Sequence, residues 1–409
     1  MHALQPDKIR SRVLIAVVLL AAALLAPGVM SRGFLLTFLT QVAITSVLAM
    51  SYNMLLGQAG LLSFGHAVYS GIGAYCAIHV INRFGADGLG LGMIAVPLVG
   101  AAGGSLAGLL FGYFSTRRSG TVFAMITLGV AEMIVAVAAM LPGTFGGENG
   151  ISTNRMLSTP VLGLDFGSAN EIYCLALAWS VIAGIGMYAF TRTPLGRLAN
   201  AVRDNPERVA FVGFNPGYIR LTVMVLAGGF AGVAGGMSVL NYELVTAENL
   251  GIAQSGMVLI ATYLGGVGHF IGPVIGAFVF VLFLSVISTW TDAWLLYFGM
   301  LFILIVLFAP QGIAELLISG AYRRLRLRTA AMATVSIIVC IAAVESVYAW
   351  QDESTFQIAE KLALSGKIPH YLAPAVFAVA VIACLGYLLM AKRRQVPGLA
   401  VPGFDRKGR

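Results

Sequence analysis

With 409 residues, of which 59% are hydrophobic and only 10% charged, the chain falls far below the roughly one-quarter charged content of soluble domains and reads as an integral membrane protein of all-α class. The formal net charge of +8 does not point to nucleic acid, because the basic residues gather between apolar runs, as expected of a chain threaded through a lipid bilayer. Cys76, Cys174, Cys340 and Cys384 all lie inside apolar runs without CxxC spacing, so they read as core thiols rather than a metal or disulfide framework.

Apolar runs of about 20 residues cross a bilayer as helices. They predict a polytopic helix bundle with core spans near 13–30, 34–56, 61–82, 92–114, 121–141, 171–190, 218–240, 253–269, 272–290 and 293–310. Two further spans fall near 330–350 and 371–391. The chain therefore divides into a core, 1–318, and an extension, 319–409, that carries the basic stretch AYRRLRLR and an acidic loop with Asp352, Glu353 and Glu360. Residues 13–29, with a basic start and an apolar middle, also fit a signal peptide, which leaves their retention open. Gly265, Gly266, Gly268, Gly272 and Pro273 interrupt the run 252–290, so the number of crossings there is the weakest point of the assignment. With both termini in the cytoplasm, 20 of the 25 basic residues fall on the inner side, leaving Arg32, Arg83, Arg155, Lys361 and Lys367 outside. Such a bias fixes the expected orientation.

Small residues recur at helical spacing. Gly100, Gly104, Gly108 and Gly112 form one series, Gly228, Gly232 and Gly236 a second, and Gly268, Gly272 and Gly276 a third. Each is expected to lay a flat stripe on one helix face where another backbone approaches closely. Gly65-His66 followed by Gly73-Ala74-Tyr75 is echoed by Gly268-His269 followed by Gly276-Ala277-Phe278, a weak sign of two related halves.

Polar features stand out against this background. Residues 58–75, QAGLLSFGHAVYSGIGAY, follow a span ending in Asn53 and place Gln58, Ser63, Phe64 and His66 among glycines. Irregular backbone at membrane depth is tolerated only where protein buries it or it lines a wet cavity. The stretch Gly57 to Gly65 is thus either a broken helix lining a pathway or an ordinary short turn. Glu132, in the middle of the 121–141 span, is expected to face the bundle interior with a partner, since an exposed carboxylate there costs about 2.5–3.5 kcal/mol. Asn53, Gln58, Ser63, Phe64, His66 and Glu132 are the candidate pathway residues. FGGENGIS, 145–152, reads as a backbone-exposed turn.

The one long polar interruption is TRTPLGRLANAVRDNPERVAFVGFNP, 191–216. Thr193 is expected to cap a helix opening on Pro194, Asp204 and Asn205 a second opening on Pro206, and Asn215 a third opening on Pro216. Glu207 in the first turn of the second suits the helix dipole, and Gly213 sits where a left-handed glycine would end it. A segment so punctuated is a rigid knob, and on the inner side it offers a surface for a partner to grip.

Catalytic signatures are missing: the sequence holds no GxxxxGK[ST], HExxH or GxSxG. It does not read as an enzyme, and an ATP-driven process would need a partner to bring the nucleotide site. A self-sufficient secondary transporter or channel would place its coupling on Glu132 and His66.

The motifs also resemble a known family. SYNMLLGQAGLLSFGHAVYSGIGAY at 51–75, RRSGTVFAMITLGVAEMI at 117–134 and GGENGIS at 146–152 are followed in order by 193–237, LGGVGHFIGPVIGA at 264–277 and FAPQGIAEL at 308–316. Over about 34–318 the chain resembles the permease subunits of branched-chain amino acid ABC importers, the LivH/LivM group, and most closely the LivM type. The resemblance implies a bacterial inner-membrane subunit with no cofactor of its own, ATP and magnesium being held by two cytoplasmic ATPase subunits. It further implies a LivH-like second permease and a periplasmic solute-binding protein that delivers substrate. The loop matching 193–216 would be the coupling element, with Gly196, Arg197, Arg203, Asp204, Glu207 and Gly213 in it, Gly213 matching the glycine of the importer loop motif. Branched-chain or other hydrophobic amino acids are the implied substrates, and relatives serving urea, short amides or aromatic acids keep those classes open. The extension 319–409 departs from the pattern.

Overall fold

The computed structural model describes residues 33–84, 92–155, 166–289, 291, 293–309 and 311–315, all within the compact unit Met1–Leu316. The predicted spans at 13–30, 330–350 and 371–391, the signal-peptide alternative and the extension 319–409 lie outside the described residues.

Long apolar runs become helices because a bilayer leaves the backbone no other partner than itself. In chain order these are α1 (Gly33–Asn53), α2 (His66–Phe84), α3 (Gly92–Ser115), α4 (Thr121–Met140) and α5 (Ala169–Arg192). The short α6 (Pro194–Asp204) and α7 (Pro206–Phe211) follow, then α8 (Pro216–Tyr242), α9 (Ile252–Gly265), α10 (Gly272–Ser285) and α11 (Trp294–Phe308). Among the described residues six helical stretches are long and apolar enough to cross a membrane. The only strands there are β1 (Ile151–Ser152) and β2 (Leu244–Val245), paired antiparallel with Ile151 opposite Val245.

The bundle is organised on α8, whose glycine face is buried along most of its length. Two predicted stripes meet each other there. A Cβ added at Gly232 would lie 2.0 Å from the Gly100 carbonyl oxygen, one at Gly104 2.2 Å from that of Gly228, and one at Gly108 3.0 Å from that of Met224. The pairs 100/232, 104/228 and 108/224 make α3 and α8 antiparallel, backbone on backbone. Gly73 brings α2 to the same point, its Cβ position 2.6 Å from Gly232 Cα. Without a hydrophobic force between helices in lipid, such close approach supplies the van der Waals contact that holds them.

The third stripe is corrected. Gly268 lies in the connection between α9 and α10 with nothing near it, and Gly265 takes its place, a Cβ there coming 1.9 Å from the Gly272 carbonyl oxygen. Gly276 packs likewise on Ala261. The predicted break inside 252–290 is real, and each half has 14 residues. That is about 21 Å of helix, shorter than the roughly 30 Å hydrocarbon core. The echoed histidines differ in setting: His66 is fully buried at the start of α2, whereas His269 sits in the α9–α10 connection, 3.2 Å from Glu315.

Candidate functional site

At the end of the bundle where α5 stops and α8 starts, the segment 191–216 folds as three capped helix starts. Thr193 Oγ1 accepts from the Gly196 amide at 3.2 Å, Asn205 Oδ1 from Arg208 at 3.0 Å and Asn215 Oδ1 from Gly217 at 2.9 Å, each with proline at the next position. Gly213 has φ +95° and closes a Schellman motif. Its amide donates to Ala210 and that of Phe214 to Val209. One expectation fails: Asp204 is the last residue of α6 and pairs with Arg203 at 3.2 Å, leaving the cap to Asn205 alone. Gly196, Ala199 and Val202 bury one face of α6, and Val209 anchors α7 in the same apolar cluster as Leu55, Leu61 and Ile219. Arg197 and Glu207 are exposed. So is an apolar tip, with Phe211 89% and Val212 75% accessible.

The knob touches the second stretch of interest. After Asn53 the helix widens into a π-helical turn, Met54–Gln58, and the chain then runs unwound to His66. The helix is broken there rather than closed by an ordinary short turn, and α2 accordingly begins at His66, five residues later than predicted. Arg203 of α6 donates to the Gly57 carbonyl. Gly60 is left-handed at φ +67°, and a Cβ there would lie 2.7 Å from Arg203 Cγ. Side chains from α1 itself and from two other helices, α4 and α9, take up backbone groups at the break, as burial demands. Tyr52 hydroxyl donates to the Ser63 carbonyl at 2.9 Å, Thr127 Oγ1 accepts from the Phe64 amide at 3.2 Å, and Ser255 Oγ accepts from Ala67 at 3.0 Å. Ser51 Oγ donates to Leu48 O at 2.7 Å, so it accepts from His66 Nε2, 2.9 Å away. That tautomer leaves His66 Nδ1 as a buried lone pair with no partner among the described residues, as is also true of Asn53 Oδ1 and Gln58 Oε1. The roles of Thr127 and Ser255 carry no sequence signal, since a hydroxyl in an apolar helix ordinarily bonds its own backbone.

The far end of α8 borders a cleft of ≈ 1010 Å³. Its walls come from α1, α2, α4, α8, the 3-10 turn Ala247–Leu250, α9, α10 and α11, and include Gln41, Glu132, Tyr242, Glu248, Gln254 and Trp294. Of the candidate pathway residues only Glu132 lines it; Asn53, Gln58, Ser63, Phe64 and His66 gather at the break instead. Contrary to the expectation that it faces the bundle interior with a partner, Glu132 is turned away from the packed core. It is exposed on the cleft wall, and no hydrogen bond or ion pair among the described residues reaches it. α4 turns its small residues Ala124, Ala131 and Ala138 inward, which puts position 132 on the other side. Beside the cleft, the 145–152 turn is folded rather than merely exposed: Gly146, Gly147 and Gly150 have positive φ, and a Cβ at Gly150 would lie 2.3 Å from the Val245 carbonyl oxygen. Arg155 locks it, its Nε 3.2 Å from Glu243 and its Nη1 donating to Leu240 O at 2.7 Å.

Residues 34–310 match the family model described as the permease component of branched-chain amino acid transport systems. The chain is 28% identical to the high-affinity branched-chain amino acid transport system permease protein LivM of Salmonella typhimurium over 324 residues, 73% of this chain and 74% of that one. LivM of Escherichia coli is equally similar, 28% over 325 residues with the same coverage. A probable LivH permease of Methanocaldococcus jannaschii is 26% identical over 286 residues, 67% of this chain and 88% of that one. No solved structure matches.

Proposed function

The chain belongs to the family of branched-chain amino acid transport system permease components, and from that premise we propose that it is the LivM-type membrane subunit of an ATP-driven importer in the bacterial inner membrane. It pairs with a LivH-like permease, receives branched-chain or other hydrophobic amino acids from a periplasmic binding protein, and releases them into the cytoplasm. ATP and magnesium are handled by two separate cytoplasmic ATPase subunits. The knob faces the cytoplasm, in line with the excess of basic residues on that side.

The observation that carries this reading is the thrice-capped knob with its bare apolar tip. An exposed Phe211 and Val212 on a soluble face are unfavourable unless something covers them, and a groove on an ATPase subunit fits a rigid protrusion of this kind. When the ATPases close on nucleotide, the knob moves as one body because its caps and Schellman turn resist local melting. The stroke then passes along α8, joined to α7 by the Gly213 turn and Asn215, and sideways through Arg203 to the unwound end of α1.

The test is uptake of labelled leucine into vesicles holding this chain, its partner permease, the ATPases and the binding protein. Wild type should import only with ATP and the binding protein present. Phe211→Asp should insert normally and lose at least nine-tenths of uptake, roughly the tenfold that 1.4 kcal/mol of lost coupling yields. Normal uptake by that variant, or proton-gradient-driven flux through this chain alone, would sink the assignment.

A further inference from the structure

We propose that the cleft at the far end of α8 is a binding site for a zwitterionic α-amino acid with an apolar side chain, with Glu132 receiving the ammonium group. This rests on the importer reading and goes beyond it by giving the membrane subunit its own contact with the substrate. The cleft volume of ≈ 1010 Å³ is at the upper end of small-molecule sites, about 300–1,000 Å³. Among its described lining residues the only charged side chains are Glu132 and Glu248, both negative.

Glu132 is the decisive group. It sits near the middle of α4, a helix otherwise without charge, and a carboxylate at mid-membrane is costly unless it is paired or wetted. It has no protein cation to offset that cost among the described residues, yet it borders the cleft rather than a packed interior. A wetted cleft visited by an ammonium group supplies the missing counter-charge. Across the same cleft, Gly251 caps α9 with no side-chain hydrogen bond, and Gly251, Ile252, Ala253 and Gln254 all line it. The first-turn amides of this short, interrupted helix have no partner among the described residues and present the positive end of its dipole, suited to the substrate carboxylate. Leu48, Met257, Phe280 and Leu284 provide the apolar wall for the side chain. The arrangement disfavours aromatic or aliphatic acids that lack an ammonium group, since two carboxylates repel them, and neutral amides, which leave Glu132 uncompensated.

The test uses the purified complex of this chain with its partner permease and ATPases, without the binding protein, and reads the shift in melting temperature with millimolar leucine, leucinamide or 4-methylpentanoate. Leucine should raise the melting temperature, leucinamide should do so less, and 4-methylpentanoate should do nothing. Glu132→Gln should weaken the leucine response roughly tenfold or more in concentration, the scale of a lost charged hydrogen bond, and Glu132→Asp should recover part of it. Gly129→Ala, one turn away with open space around it, is the control and should respond as wild type. An equal response to leucine and 4-methylpentanoate, or a wild-type leucine response in Glu132→Gln, overturns the site. Failure of ATP-driven uptake by the wild-type vesicles overturns the importer reading instead. ATP-driven uptake intact with no leucine response in the binding-protein-free complex overturns only the cleft proposal.

Discussion

The knob closes on hydrogen bonds between residues two, three or five positions apart, whereas the cleft draws its walls from residues as distant in sequence as Gln41 and Trp294. One helix of 27 residues, α8, joins them, a shaft of about 40 Å. The contrast suits a lever. A part held by local contacts keeps its shape when the body around it relaxes. A cavity bounded by many helices changes volume whenever one of them shifts. Between the two, the α3–α8 glycine seam packs backbone on backbone, so under the proposed coupling a displacement at one end would be passed on rather than absorbed.

Breaking the shaft should have the largest effect. Gly232→Ala puts a methyl 2.0 Å from the Gly100 carbonyl oxygen, against backbone that cannot rotate away. We expect about 3 kcal/mol of destabilisation, read as loss of monodisperse protein in detergent, while Gly129→Ala stays near wild type.

Next comes the strap between knob and body. Arg203→Ala leaves the Gly57 carbonyl without its donor, at about 1–3 kcal/mol. Gly60→Ala strains a left-handed position by about 1–2 kcal/mol and collides with Arg203. In the Arg203→Ala background the collision is gone, so the two changes together should cost less than their sum. A double-mutant cycle on melting temperature checks this; strict additivity would mean that the two do not communicate.

Smaller still, Asn205→Ala should cost about 1 kcal/mol and stay local. Hydrogen exchange should quicken over 206–212 while the residues around the cleft keep their protection. Spread of the effect to the cleft would dissolve the distinction drawn between the two ends. Least of all, Arg155→Gln removes a partly exposed pair beside the cleft, for about 0.5–1 kcal/mol. High salt should shrink the difference in melting temperature between variant and wild type.

How much of this was legible beforehand follows the same division. Caps, proline starts and the closing glycine of the knob are spelled out within a few residues, so Thr193, Asn205, Gly213 and Asn215 were readable as such. Only Asp204 was misassigned, because two adjacent capping residues compete and the backbone chooses one. The glycine series were visible, but not that 100–112 and 228–236 face each other, nor that Gly265 replaces Gly268 once the chain turns. The break after Asn53 was visible as an alternative; its fastening by Thr127, Ser255 and Arg203 was not.

Composition and local order thus determined by themselves that the chain is a membrane helix bundle, where most helices begin and end, and that a rigid knob interrupts them. These features depend on burial periodicity and hydrogen bonds between near neighbours, which sequence records directly. Tertiary structure alone decided which glycines meet, that Arg203 holds the unwound strand, and that Glu132 opens onto a cleft instead of a packed core. Those depend on distances between segments far apart in the chain, and no spacing along the sequence encodes them.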